Sequence, residues 1–401
     1  MHSTYVGSQP IYTRELGIYA YQLLFRNNEY NKAQFSDGDK ATSELILNSL
    51  TDIGLDKLVG THKACINFTR NFLLGEYPIP SMKRQIVIEV QEGTLLDEAV
   101  IAALHQLSAK GFTLAIPEPL YRQHFICSTE HPYIVKFDIT QYYNGQLVSA
   151  IAGIKQDNVH LLAEKIETQQ EFKVCNEMGF DYYQGFFFCE PNIVKGRGIP
   201  ANKVQIVRLL QKLQDDETDN KEIDQLISAD VSLCYRLLRY ANSSMLGLNT
   251  RIESIQHAIS ILGWDTIRMI ATLLALSSID DKPGELIHIA LIRAKLCEEL
   301  AKYKHHVDQK MAFTAGLLSI LESLLDTPMD QILAKLPLNP VLTRALLDLE
   351  GELGELLQDS IIYVHGKPEY ATSSRLDATV LRENYLKALV WANATLPALQ
   401  S

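Results

Sequence analysis

Gln85–Ile116 reads QIVIEVQEGTLLDEAVIAALHQLSAKGFTLAI, and this stretch decides the fold of the first half of the chain. Its two ends, Gln85–Val90 and Phe112–Ile116, are apolar and rich in β-branched residues, as strands are. Thr94–Ala109 between them is amphipathic at helical spacing. A strand, a helix and a second strand in succession imply parallel strands joined by a crossover helix. The alternation continues on both sides. Ala64–Thr69, Ile134–Ile139, His160–Ile166 and Tyr182–Phe188 read as strands, and Tyr142–Lys155 and Gln169–Met178 as amphipathic segments. The strands are mostly apolar on both faces, which suits a sheet covered by helices on one side and filled by a core on the other. Repeated this often, the pattern favours a closed (β/α) barrel over an open sheet, a choice that periodicity alone leaves open.

The composition changes at Pro191–Asn202, PNIVKGRGIPAN, where two Pro and two Gly mark a linker. Beyond it the strand signals stop. Leu233, Leu237, Tyr240 and Ala241 share one helical face, as do Ile255, Ala258, Ile259 and Leu262. Ser254 is placed to cap the second of these helices, and Asn339-Pro340 is a helix start. The expected organisation is a barrel domain over 1–194, a linker over 195–202 and an all-α domain of eight to eleven helices over 203–401.

At 401 residues, each half can bury its own core. A chain 47% hydrophobic and 21% charged is an ordinary folded protein. The net charge of −11 argues against a broad DNA- or RNA-binding face, which needs clustered Lys and Arg. Met1–Pro10 lacks the basic and apolar pattern of a signal peptide, and the longest apolar run, near Ile270–Ile279, is too short to span a bilayer. The expectation is a cytoplasmic protein without a membrane segment. Cys65, Cys127, Cys175, Cys189, Cys234 and Cys297 are scattered without a C-x-x-C pair and read as reduced thiols.

In parallel barrels, ligands gather at the C-terminal edge of the strands, so acidic or amide residues closing otherwise apolar strands are the candidate site. Gly17–Arg26, GIYAYQLLFR, is similar to the first barrel strand of EAL domains, the bacterial cyclic di-GMP phosphodiesterase fold. The resemblance extends over nearly the whole first half. SQPIY places Gln9–Ile11 at the family's opening, and Arg26 falls at its phosphate-contacting Arg. INFT places Asn67 at the metal-binding Asn, and IEVQE places Glu89 at a metal-binding Glu. VKFD puts Lys136 at the site lysine, AEKIE puts Glu167 at a final acidic position, and YYQGFFFCEP matches the family's ending with Gln184 and Pro191.

The departures from that family bear on chemistry. Where it carries the metal-binding Glu of its Glu-Ala-Leu tripeptide, this chain has Gln22, followed by Leu23 and Leu24. An amide oxygen has no formal charge and is a poorer ligand for Mg²⁺ or Mn²⁺ than a carboxylate. Where the family has two adjacent aspartates that hold the metals, this chain has Pro117 and Glu118, and LYRQHF replaces the glycine-rich lid. The acidic set implied by the resemblance shrinks to Glu89, Glu118 and Glu167, with Asn67, Glu89 and Glu118 the residual metal candidates. Arg26 and Gln184 are the candidate nucleotide contacts. Without metals, Glu89 and Glu167 face a doubly anionic ligand directly, and like charges a few ångströms apart repel by about 4 kcal/mol at a dielectric near 20.

Leu226–Ile270 resembles HDOD domains, through Asp230/Leu233, Leu237–Ser243 and Ile252–Gly263. HDOD domains are similar to HD phosphohydrolases that have lost their metal ligands. FTAGLLSILESL matches the helix that carries the His-Asp dyad in active relatives, with Ser319-Ile320 in its place, and the chain has no His-Asp dipeptide. KHHVD (Lys304–Asp308) is the nearest imitation and reads as a solvated helix–helix connection. His257 and His288 read as packed or surface histidines, and Trp264 and Trp391 as core or interface anchors.

The tandem is identified as a member of the EAL–HDOD signal-transduction family, also called EAL and modified HD-GYP proteins. The resemblance implies a catalytically inactive adaptor or regulator in the cyclic di-GMP pathway, acting through an unidentified partner protein and needing no cofactor. The alternatives are a weakened phosphodiesterase using Mg²⁺ or Mn²⁺, and a metal-free cyclic di-GMP sensor. Family members often pair through barrel helices, which implies a homodimer.

Overall fold

The computed structural model describes residues 4–27, 46, 54–79, 82–91, 96–125, 133–142, 146–154, 159–185, 203–215, 223–224, 227–228, 230–243, 252–279, 284–366 and 370–400. The linker at 195–202, all of Pro191–Asn202, Cys127, Cys189 and Phe186–Phe188 lie outside these residues. The chain divides into two compact units, Met1–Phe187 and Phe188–Ser401.

The first unit is a closed eight-stranded barrel with the strands in sequence order. They are β1 (Thr4–Thr13), β2 (Ile18–Asn27), β3 (Lys63–Asn67), β4 (Ile86–Glu89), β5 (Thr113–Pro117), β6 (Tyr133–Asp138), β7 (Val159–Ile166) and β8 (Tyr182–Gly185). Strands β2 to β8 run parallel, whereas β1 is antiparallel to both of its neighbours. That antiparallel first strand was not expected from the sequence. It follows from the turn after Thr13, whose N–H donates to Gly17 O at 2.8 Å while Leu16 takes a left-handed φ of 65°. A reversal this tight leaves no length for a crossover helix, so the two strands pair as a hairpin.

Helices α1 (Leu55–Val59), α2 (Arg70–Leu73), α3 (Glu98–Ala109), α4 (Glu118–His124), α5 (Gln146–Ala152) and α6 (Gln169–Glu177) lie between the strands. α3 starts at Asp97, whose carboxylate accepts from Val100 N at 3.0 Å, and it buries Val100, Leu104 and Leu107 on one stripe. α6 starts with a capping box between Thr168 and Glu171. Strand alternation then builds the interior in layers. Ile11, Ala20, Cys65, Val87, Ala115, Ile134 and Leu162 form one buried cluster, with Tyr19 and Tyr182 packed against it.

The second unit is helical throughout its described residues. It comprises α7 (Val204–Gln214), α8 (Val231–Ala241), α9 (Ile255–Leu262), α10 (Trp264–Ser277), α11 (Gly284–Ala301), α12 (Gln309–Leu318), α13 (Leu321–Leu325), α14 (Met329–Leu333), α15 (Pro340–Asp348), α16 (Gly351–Val364) and α17 (Ala378–Gln400). Leu233, Leu237, Tyr240 and Ala241 are buried together on α8. Ser254 caps α9 by accepting from His257 N at 3.1 Å, and Asn339 caps α15 with Pro340 in its first turn. α11 is the central helix and is buried around almost its whole circumference by α12, α16 and α17. Gly316 on α12 permits a close approach to α11, since a Cβ there would sit 2.5 Å from the Arg293 backbone. Asp359 on α16 is wholly buried and accepts from Ser373 N and Ser374 N, both at 2.9 Å, which ties α16 to the loop before α17.

Candidate functional site

The polar mouth of the barrel follows from the apolar layer by one step of strand alternation. Two residues along each strand, Ala20 leads to Gln22, Cys65 to Asn67, Val87 to Glu89 and Ala115 to Pro117. Likewise Ile134 leads to Lys136, Leu162 to Glu164, and Tyr182 to Gln184, while antiparallel β1 supplies Gln9 two residues before Ile11. Seven of these eight positions hold polar side chains, and the eighth is Pro117.

The polar groups are joined into one chain of hydrogen bonds. Gln184 Nε2 donates to Gln9 Oε1 at 3.2 Å and to Gln22 Oε1 at 2.6 Å. Gln22 Nε2 in turn donates to Glu89 Oε1 and Oε2, at 2.8 and 2.7 Å. Lys136 Nζ pairs with Glu89 and donates to Glu164 Oε1 at 2.9 Å. Below them, Cys65 Sγ faces Glu89 Oε2 at 3.6 Å. Burial by itself would lower the Lys136 ammonium, but the Glu89 and Glu164 carboxylates outweigh it and hold the group above the ordinary lysine range. Burial raises Glu164, with Lys136 opposing, and burial followed by the Glu89 charge raises the Cys65 thiol.

Glu164 was missed in the sequence, and it corrects the expectation for Glu167. Lys165 adopts a left-handed φ of 62° and the β7–β8 register shifts between Ala163 and Ile166. Alternation therefore breaks after Glu164, and Glu167 is exposed, with its backbone N–H bonded to Glu171 Oε2 at 2.8 Å. Lys165 instead reaches Asp138 at 2.6 Å. The usable signal was the period of two counted from Leu162.

Glu118 also departs from expectation. As the residue after Pro117 it opens α4, and its carboxylate accepts from Arg122 Nε at 2.8 Å and from Tyr142 Oη at 3.0 Å. It does not join Glu89. Burial, then the Glu118 charge, raises the Tyr142 phenol. α4 occupies the stretch where the resemblance implies a glycine-rich lid. Asn67 closes β3 in register with Glu89, and Arg26 pairs across the hairpin with Tyr5 through the backbone.

These residues do not fit a pair of divalent ions. Position 22 contributes an amide whose nitrogen, not its oxygen, faces Glu89, Pro117 has no ligand atom, and Glu118 is engaged with Arg122 and Tyr142. Among the described residues, no group of three or more His, Cys, Asp and Glu side chains is arranged to hold a metal ion.

In the helical unit, Ser319 Oγ donates to Gly316 O at 2.7 Å and accepts from Arg293 Nη1 at 3.3 Å, while Ile320 is buried. Arg293 Nη2 lies 3.1 Å from His365 Nε2. His305 and His306 are exposed in the turn between α11 and α12, where Asp308 caps α12 by accepting from Met311 N. His257 is half-buried, and His288 is 1% exposed beside Glu285. Trp391 packs edge-on against Phe313. Elsewhere on this unit, Leu213, Met269, Met311, Phe313, Leu317 and Leu342 line a cleft of about 560 Å³, with the Asp265–Lys310 ion pair at its rim. No described helix is long and apolar enough to cross a membrane.

Residues 133–191 match the EAL domain and residues 199–328 the HDOD domain. An uncharacterized protein of Bacillus subtilis, YuxH, is 30% identical over 98% of this chain and 99% of its own length. Cyclic di-GMP phosphodiesterase CdgJ of Vibrio cholerae is also 30% identical, over 98% of this chain and 93% of its own. Among solved structures, an EAL domain protein from Listeria monocytogenes is 15% identical over 46% of this chain and 87% of its own, with a TM-score of 0.35. A putative phosphohydrolase from Shewanella amazonensis is 17% identical over 50% and 94%, with a TM-score of 0.38. With an EAL match on the barrel, an HDOD match on the helices and full-length relatives at this identity, the chain belongs to the family of tandem EAL–HDOD proteins.

Proposed function

We propose that this chain is a catalytically inactive member of the cyclic di-GMP signalling system, which acts by contacting a partner protein. The observation that carries the reading is the self-satisfied barrel mouth. Glu89 is held by Gln22 and Lys136, Glu164 by Lys136, and Glu118 by Arg122 and Tyr142. Carboxylates engaged by internal donors are poor ligands for the ions that a phosphodiesterase needs to activate water and neutralise a transferring phosphoryl group. With both acids ionised, the Glu89–Lys136–Glu164 triad keeps one net negative charge, which opposes an anionic dinucleotide. The lack of a His-Asp dyad on the second unit supports the same reading there.

The test is incubation of the purified full-length protein with Mg²⁺ or Mn²⁺ and cyclic di-GMP, followed by chromatography for the linear dinucleotide. No product above the protein-free control is expected. Metal-dependent turnover above that control would refute the reading and select the second one, a weakened phosphodiesterase, which the name of the Vibrio cholerae relative favours.

A further inference from the structure

The barrel mouth supplies its own counter-charge. Lys136 Nζ stands between Glu89 and Glu164, the position from which a cation would neutralise both. On the other flank of Glu89, the Gln22 amide directs its nitrogen at both carboxylate oxygens. That orientation is fixed from behind, because Gln184 donates to the Gln22 oxygen at 2.6 Å. A reversed amide would place its oxygen against Glu89 and its NH₂ group against the NH₂ of Gln184, with acceptor facing acceptor and donor facing donor.

We infer that the Gln22 amide and the Lys136 ammonium together form a built-in substitute for a bound cation, and that Gln22 is the residue that excludes a divalent ion from the mouth. The inference deepens the proposed inactivity of the barrel and rests on it. It assigns the exclusion to one side chain and one hydrogen-bonded arrangement. A carboxylate at position 22 could still accept from Gln184, but it could not donate to Glu89. Three acids would then face one lysine, with Asn67 alongside on β3, and a divalent cation would relieve the repulsion.

The experiment titrates Mn²⁺ alone into full-length wild type, Gln22→Glu and Gln22→Met, read by calorimetry, by the paramagnetic resonance of free Mn²⁺ and by thermal unfolding. Gln22→Glu should bind Mn²⁺ at least about 100-fold more tightly than wild type, and Mn²⁺ should raise its unfolding temperature alone among the three. Gln22→Met, which removes the amide without adding charge, should gain nothing. If Gln22→Glu is unfolded without metal, Mn²⁺ should restore its circular dichroism, and failure to do so counts against the inference. A folded Gln22→Glu with no gain overturns it. So does wild-type Mn²⁺ binding of equal strength that Glu89→Gln abolishes. The readout needs no nucleotide, so it can fail while the hydrolysis test still finds no product, and each reading stands or falls separately.

Discussion

Replacing Lys136 with Met keeps most of the apolar stem of the side chain and removes its charge. In the folded barrel, Glu89 and Glu164 then lie beside one another without the ammonium that both contact. Removing one partner of a buried ion pair costs about 3–5 kcal/mol. Gln22 still donates twice to Glu89, which favours the lower end. For a unit of 187 residues this corresponds to a fall in unfolding temperature of about 6–20 °C, at roughly 2–4 °C per kcal/mol.

The pH dependence adds a second readout. The Lys136 pKa is raised in the fold, so its stabilising contribution is complete below the unfolded lysine value and is lost only as pH rises through the folded one. Between about pH 5 and about pH 7 that contribution is constant in wild type. Glu164 is also raised, so its contribution is complete below its unfolded value and is lost as pH climbs through its folded one. Without Lys136 to oppose burial, Glu164 is raised further. The deficit of Lys136→Met should therefore shrink on acidification from about pH 7 to about pH 5, as Glu164 takes up a proton. Thermal unfolding by circular dichroism measures both effects. A loss of under about 2 °C, or a deficit that widens in acid, would refute the counter-charge reasoning.

Two further changes probe the scaffold. Gly185→Ala places a Cβ 1.8 Å from Ile166 O, so β8 must part from β7, and a loss above about 4 kcal/mol is expected in chemical denaturation. A midpoint equal to that of wild type would mean the barrel closes differently. Asp359→Asn turns an NH₂ group toward a site that receives Ser373 N, Ser374 N and Ser374 Oγ, and should cost about 1–3 kcal/mol. An unchanged denaturation midpoint would show that the loop before α17 is held by other contacts.

The alternation of strands and helices from Ala64 to Tyr183 was legible because the strands are short and apolar and the crossovers Thr94–Ala109, Tyr142–Lys155 and Gln169–Met178 are amphipathic. Motif resemblance singled out Gln22, Asn67, Glu89, Lys136 and Gln184, and barrel closure brings these five positions into one layer. It placed Glu167 and Glu118 there as well, because sequence order does not reveal where alternation breaks. Alternation from Leu162 turns Glu164 inward, Glu167 stays in solvent beyond the left-handed Lys165, and the start of α4 directly after Pro117 hands Glu118 to Arg122 and Tyr142.

The amino-acid order by itself determined that a strand-and-helix unit precedes a helical one, and that position 22 lacks a carboxylate, since periodicity and side-chain identity are local properties. Only the tertiary structure decided that the Gln22 nitrogen points at Glu89 and that one lysine serves two acids. Barrel closure brings residues from six strands, far apart in the chain, within hydrogen-bonding distance, and the direction of an amide is set by the neighbours on both of its sides.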